Sequence, residues 1–147
     1  KERAVRILTV SGLSKKELQK RLVQKGEREE DAEAAVSWLE ELHLIDDLET
    51  AKQLVRSANL RGYGRARGKN ILYEKGIPKE LWDEALEEFG ETDGAIDAFL
   101  RKKLSGRTLD QKTIKKAVDA LIRRGHSYHD IQEGLRRLEA DCEPMDT

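Results

Sequence analysis

The sequence predicts an all-α protein: three tandem three-helix repeats forming an elongated, curved, right-handed-type helical array. Three observations carry that expectation. No runs of alternating Val, Ile, Thr and aromatic residues occur, and no Asn-Gly or Asp-Gly hairpin turn joins such runs. Helix caps and apolar stripes at 3.6-residue spacing recur along the chain. Gly26, Gly76 and Gly125 stand 50 and 49 residues apart, and their neighbours recur with them.

Ser14 opens Ser-Lys-Lys-Glu, a capping box in which the Ser14 hydroxyl and the Glu17 carboxylate each satisfy a free amide of the first turn. Leu18, Leu22 and Val23 form the apolar stripe of that helix, and Gly26 ends it. Ala32, Ala35, Val36, Leu39 and Leu42 mark a second amphipathic helix. Asp46 or Asp47 caps a third, which carries Ala51, Leu54, Val55 and Ala58. Gly62-Tyr63-Gly64 then breaks the chain. A fourth helix carries Ile71, Leu72 and Tyr73 and stops at Gly76. Pro78 fits a first helical turn, followed by Leu81, Trp82, Ala85, Leu86 and Phe89. Thr92 or Asp93 caps the next, with Ala95, Ile96, Phe99 and Leu100. A loop over 105–108 leads to helices near 110–124 and 127–139; a short helix at 3–10 brings the count to nine.

Aligned on the three glycines, the columns repeat. Leu22, Leu72 and Leu121 stand four residues before, and Lys25, Lys75 and Arg124 one before. Ala32, Trp82 and Ile131 follow by six residues; the small residues Ala35, Ala85 and Gly134 follow by nine. Val36, Leu86 and Leu135 follow by ten, and Leu39, Phe89 and Leu138 by thirteen. The expected repeats are 1–43, 44–89 and 90–141, with a tail over 142–147. Their cores are expected to rest on Leu22, Val36, Leu39, Leu72, Leu86, Phe89, Leu121, Ile131 and Leu135. One unit of this size buries little surface alone; stacked units share a core. Gly68 interrupts a column held elsewhere by Leu18 and Ala117. A mid-helix glycine costs about 1 kcal/mol against alanine, so Gly68→Ala is expected to raise stability modestly.

The chain has 28 Lys+Arg against 29 Asp+Glu, a net charge of −1. The total conceals an order. Lys15, Lys16, Lys20, Arg21 and Lys25 face one acid in 14–26, whereas 27–43 has seven acids against Arg28. The same basic-then-acidic succession recurs in 61–76 and 77–90, and in 110–125 and 126–143. Equivalent helices of a stacked array share a side, so one basic and one acidic flank are expected. No apolar run approaches eighteen residues, so no membrane span is expected. No apolar segment with a small-residue cleavage site stands near the start, so no signal peptide is expected. The single Cys142 points to a reducing, cytoplasmic compartment.

Site chemistry points away from catalysis. His126 and His129 are three apart but lack companion ligands, so neither a metal nor a cofactor is expected. Gly62, Gly64 and Gly68 lack the strand and Lys-Ser/Thr pair of a phosphate-cradling loop. No acid–base pair or nucleophile triad separates from the solvated carboxylates. Basic helices do suit phosphates, with salt-sensitive affinity. Tyr63 amid Arg61, Arg65 and Arg67 either stacks on an unpaired base or packs at the repeat junction.

Leu44-Ile45-Asp46-Asp47 with Ala51, then Gly62-Tyr63-Gly64-Arg65-Ala66-Arg67, then Leu72-Tyr73-Glu74-Lys75-Gly76-Ile77, resembles the signature of the bacterial regulatory protein RecX family. Ser14 to Leu18 with Leu22 and Lys25-Gly26 looks like that family's first repeat; Leu121 to Gly125 with Ile131 and Leu135 looks like its last. The likeness covers about residues 4–138. Gly68 departs from it, because the family usually has an aliphatic residue there. The resemblance implies a cytoplasmic, monomeric, non-enzymatic modulator, usually an inhibitor, of the RecA recombinase. It would lie in the groove of the RecA–single-stranded DNA filament and limit its extension or promote its disassembly, with direct contact to single-stranded DNA open. The alternative is a general nucleic-acid-binding helical module without a dedicated protein partner. The contact residues expected on charge are Arg61, Tyr63, Arg65, Arg67, Lys69, Lys102, Lys103, Arg107, Lys112, Lys115, Lys116, Arg123 and Arg124.

Overall fold

The structure, a computed structural model, describes residues 3–6, 13–106 and 110–142. Residues 3–6 are helical; the rest of the helix expected over 3–10, Arg107 and the tail after Cys142 lie outside the described residues. Eight further helices follow: α1 Lys15–Gln24, α2 Glu29–Glu41, α3 Asp47–Leu60, α4 Arg65–Glu74, α5 Trp82–Leu86, α6 Asp93–Leu104, α7 Gln111–Arg123 and α8 Tyr128–Cys142. A single 3-10 turn, Lys79–Leu81, leads into α5. There is no strand among the described residues.

The three repeat glycines do one job. Gly26, Gly76 and Gly125 have φ of 103°, 72° and 95°, the left-handed region where a Cβ is penalised. At each, two amide groups close the helix end. The Gly26 and Glu27 N–H groups donate to the Val23 and Leu22 carbonyls at 3.0 Å each. Gly76 and Ile77 donate to Tyr73 and Leu72 at 3.0 Å each. Gly125 and His126 donate to Ile122 and Leu121 at 2.9 and 3.1 Å. These are Schellman caps, which satisfy carbonyls that a helix end otherwise leaves bare. The repeated leucine is thus both the last core residue of its helix and the acceptor of the closing bond. Leu22, Leu72 and Leu121 are all buried, each contributing about 1.5–3 kcal/mol. His43 caps α2 in the same way with φ of 58°, without glycine's freedom.

The described residues form two compact units. One takes residues up to Arg56 together with Lys69–Glu88; the other takes Ser57–Gly68 together with residues from Phe89 on. In the first, α1 packs on α2. Leu18 and Leu22 meet Ala32, Ala35, Val36 and Leu39, joined by Ala4, Leu13 and Ile45, with Trp38 half-buried against them. Ser14 accepts the Glu17 N–H at 3.2 Å, the first half of the expected capping box. Its hydroxyl then donates to the Lys75 carbonyl, the C-cap of α4. Asp46 accepts the Leu48 and Glu49 N–H groups at 3.0 and 3.3 Å and caps α3. Asp47 reaches α1 instead, accepting the Lys15 N–H at 2.9 Å. Its burial pushes this carboxyl up, against that hydrogen bond.

In the second unit, α6 packs on α7 and α8. Ile96, Leu100, Leu104, Ala117, Leu121 and Ile131 form its core, with Phe99, Val118, Leu135 and Leu138 partly buried around it. Gly134 explains the small-residue column. A Cβ there would stand 2.6 Å from Ile96 Cγ2, so α8 crosses α6 too closely for a larger residue. Arg137 clamps the crossing with a bidentate bond to Asp97 at 2.8–3.0 Å. Asp110 caps α7 by accepting the Thr113 N–H at 2.7 Å; the Thr113 side chain first, and this N–H as well, hold its carboxyl below the ordinary range.

Several expectations are corrected. Pro78 is the N-cap of the 3-10 turn, and α5 ends at Leu86, leaving Phe89 outside the helix and only half-buried. Leu135 is half-buried as well. Tyr73, expected on the fourth helix beside Ile71 and Leu72, lies on it and is 75% exposed. Thr92 sits at the N-cap of α6 but makes no side-chain capping bond. Gly68 is buried, and a Cβ there would lie 2.5 Å from Phe89 Cε2. The aromatic ring occupies the space that the aliphatic column fills elsewhere.

Gly68→Ala is therefore expected to lower stability by about 1 kcal/mol net, the overpacking exceeding the gain in helix propensity. Gly64→Ala, whose Cβ would meet the Gly125 carbonyl oxygen at 2.3 Å, is expected to cost about 3 kcal/mol or more because backbone cannot step aside. Gly94→Ala, with nothing within 4 Å, is the control and gains up to about 1 kcal/mol. Thermal melts followed by circular dichroism at 222 nm rank the three; a Gly68→Ala protein at least as stable as the parent would overturn the first.

Candidate functional site

The second unit builds a cation–aromatic cluster from backbone joints. Gly62, φ 79°, ends α3 and turns the chain so that the Tyr63 N–H donates to the Ala58 carbonyl at 3.1 Å. The Gly64 N–H then donates to the Arg124 carbonyl at 2.8 Å, and the Ala66 N–H to the Gly125 carbonyl at 3.2 Å. Free amides at the start of α4 thus meet free carbonyls at the end of α7. The joint sets Arg124 beside Tyr63, 61 residues away in sequence. The Arg124 guanidinium donates to the Arg61 carbonyl at 2.7 Å and lies 5.0 Å from the Tyr63 ring centroid. Arg67 lies 5.6 Å from the same ring. Arg124 is also 5.9 Å from the Phe99 ring, and Lys103 Nζ is 5.7 Å from it. Arg67, Tyr63, Arg124, Phe99 and Lys103 form a ladder of alternating charge and ring, each step contributing about 0.5–1 kcal/mol at an exposed site.

Next to the ladder runs a groove of about 400 Å³ between α6 and α7, lined by Phe99, Lys103, Thr113, Lys116 and Arg123, with Asp119 its single acid. So the structure brings together Arg61, Tyr63, Arg67 and Arg124, and beside them Lys103, Lys116 and Arg123. Arg65 is exposed as the first residue of α4. Lys102, Lys112 and Lys115 are exposed on α6 and α7 outside that groove. Lys69 is exposed farther along α4 and belongs to the other compact unit. Arg107 lies outside the described residues. Phe99 was not among the expected contacts. Its pairing with Lys103 at i, i+4 on one helix is the signal that would have found it. Tyr63 is half-buried and engaged by two guanidinium groups, so it packs at the joint rather than standing open as a stacking platform.

His126 belongs to the joint. Its N–H closes the α7 cap, and its ring Nε2 lies 2.9 Å from the Gly62 carbonyl. Nε2 therefore carries the proton and donates, while Nδ1 is buried without a partner. Burial first, and the Arg124 charge as well, push this imidazole down, against the Gly62 hydrogen bond. His129, the other histidine of the pair, is exposed. Among the described residues no three His, Cys, Asp or Glu side chains are placed to hold a metal ion. None of the described helices is long and apolar enough to cross a membrane.

What the cluster can do is bind. Its cations neutralise anionic groups and release their counterions, giving an affinity that falls with salt. Its rings hold the guanidinium groups in fixed directions.

Known proteins resemble the chain along its length. Residues 46–86 match the family described as RecX, second three-helix domain. The regulatory protein RecX of Chlorobium limicola is 30% identical over 137 residues, covering 92% of this chain and 86% of that protein. The regulatory protein RecX of Vibrio parahaemolyticus is 32% identical over 143 residues, covering 96% and 92%. The crystal structure of RecX from Lactobacillus salivarius superposes with a TM-score of 0.81 at 21% identity, over 95% of this chain and 94% of that one, a likeness of fold.

The His126 geometry gives a pH dependence with a definite sign. A depressed folded-state value means that below the ordinary histidine range the unfolded chain binds a proton that the folded chain refuses. The contribution is complete above about pH 6.5 and is lost as pH falls below it. Melting temperature is expected to decline from pH 7 to pH 5, and His126→Gln, which keeps a donor toward Gly62, is expected to flatten that decline. An unchanged slope in the variant would remove His126 as its cause.

Proposed function

The chain belongs to the RecX family of regulatory proteins, and from that premise we propose that it binds the RecA recombinase assembled on single-stranded DNA and lowers its recombinase and ATPase activities. It acts as a cytoplasmic monomer, by binding in the filament groove rather than by catalysis. The observation that carries this reading is the ladder of Arg67, Tyr63, Arg124, Phe99 and Lys103. A filament of protein on DNA presents phosphates and acidic side chains. Guanidinium groups held by rings and backbone carbonyls meet such groups with little further ordering, which raises affinity by lowering its entropic cost.

On this reading Arg61, Arg65, Arg67, Lys102, Lys103, Lys112, Lys115, Lys116, Arg123 and Arg124 supply the contacts. Tyr63 positions Arg67 and Arg124, and Lys69 extends the same helix. Each phosphate contact removed weakens binding alike across sequences and lowers the salt slope by about 1. A general nucleic-acid-binding module would use the same ladder, so stoichiometry separates the two readings.

The test adds the protein to preformed RecA–single-stranded DNA filaments and follows ATP hydrolysis. Inhibition is expected at ratios far too low to coat the DNA. Inhibition only at coating ratios would replace the filament reading with the general module, and no effect together with no DNA binding at low salt would end both. Arg65→Glu with Arg67→Glu is expected to raise the half-inhibitory concentration about tenfold, equivalent to about 1.4 kcal/mol, with the helical circular dichroism unchanged. Equal inhibition by the double variant would remove these two arginines from the site.

A further inference from the structure

A second groove, entirely within the first compact unit, has different chemistry. Its cavity volume is about 1080 Å³, and its two walls are α1 and residues 73–82. Lys16, Lys20 and Arg21 on one wall and Lys79 on the other are all exposed. A fifth lining cation, Lys15, is held by Glu40 at 2.7 Å. The opposite wall is apolar and aromatic. Ile77 is buried, and the Trp82 indole N–H donates to the Ile77 carbonyl at 2.9 Å, which fixes the half-buried ring. Tyr73 stands 75% exposed at the same groove. Three carboxylates, Glu17, Asp47 and Glu74, also line it.

We propose that this groove docks an extended acidic peptide segment of a partner protein, with apolar side chains seated against Trp82 and Tyr73. Charge complementarity sets the sign of the occupant, and the mixed lining sets its class. A nucleic-acid strand carries a charge at every step and would have to pass Glu17, Asp47 and Glu74. An extended peptide points successive side chains to opposite faces, so acidic residues can turn to Lys16, Lys20, Arg21 and Lys79 while their neighbours cover the rings. Aromatic and Arg side chains together are the composition of protein interfaces. From Lys15 to Gln24 the wall runs about 14 Å at ~1.5 Å per residue, room for about four residues at ~3.3 Å each. The proposal does not depend on the partner being RecA.

The test uses the full chain and a fluorescein-labelled octapeptide that alternates acidic and aromatic residues, followed by anisotropy at low salt. Saturable binding is expected, weakened about tenfold by Lys20→Glu with Arg21→Glu, two charge contacts of about 0.7 kcal/mol each. Tyr73→Ala, an exposed change that leaves the fold intact, is expected to weaken it a few-fold. Arg65→Glu with Arg67→Glu is expected to leave it unchanged while weakening a labelled oligothymidine. No saturable binding of the octapeptide would overturn the proposal. So would binding indifferent to Lys20→Glu with Arg21→Glu, or equal binding of the octapeptide with Asn and Gln in place of its acids. If the Lys20 and Arg21 changes weaken the oligothymidine and not the octapeptide, the groove is a nucleic-acid surface instead.

Discussion

The start of one glycine-capped helix rests on the end of the next, and much of the molecule follows from that contact. Ser14 and Gly64 hold the same register, twelve residues before Gly26 and Gly76. Ser14 donates its hydroxyl to the carbonyl of Lys75, and Gly64 donates its amide to the carbonyl of Arg124. Lys75 and Arg124 also share a register, one before their glycines. A side chain does in one joint what the backbone does in the other. Both joints place the electropositive start of a helix on the electronegative end of its neighbour, where bare N–H and C=O groups complete each other. The joint at Gly64 is the tighter. Both members lack a Cβ, and Gly125 approaches the Arg67 backbone to within the same limit.

This packing brings some of the sequence's charges together. A basic segment precedes an acidic one three times along the chain, and some charges pair: Lys15 with Glu40 at 2.7 Å, Arg56 with Glu88 at 3.3 Å, Arg137 with Asp97 at 2.8 Å. Exposed pairs of this kind contribute about 0–1 kcal/mol, so they tune the packing rather than hold it. Other cations gather in two different settings. In the second unit they stand beside aromatic rings with one acid in the groove; in the first they share their groove with three carboxylates and an aromatic wall.

Much of the fold was legible in residues. Ser14 and Asp46 announced helix starts because their side chains reach amides only two or three residues along the backbone. The repeated glycines announced helix ends because only a residue without Cβ takes that backbone angle cheaply. The leucine column followed from the 3.6-residue period. The errors fall where long-range contacts compete. Phe89 has the right spacing for a helix, yet α5 stops at Leu86 and the ring packs on Gly68. Asp46 and Asp47 fit the cap of α3 equally by position; Asp46 takes it, and Asp47 accepts from Lys15 of α1.

The sequence alone determined the all-helical class, the caps, the fifty-residue period and the sign of each helix, because these depend on residues within one or two turns of each other. The tertiary structure decided which charges stand together. Tyr63 and Arg124 are distant in the chain, and nothing in either neighbourhood names the other. They meet because Gly64 and Gly125 let two backbones approach until amide and carbonyl bond directly, a distance that any side chain on either residue would forbid.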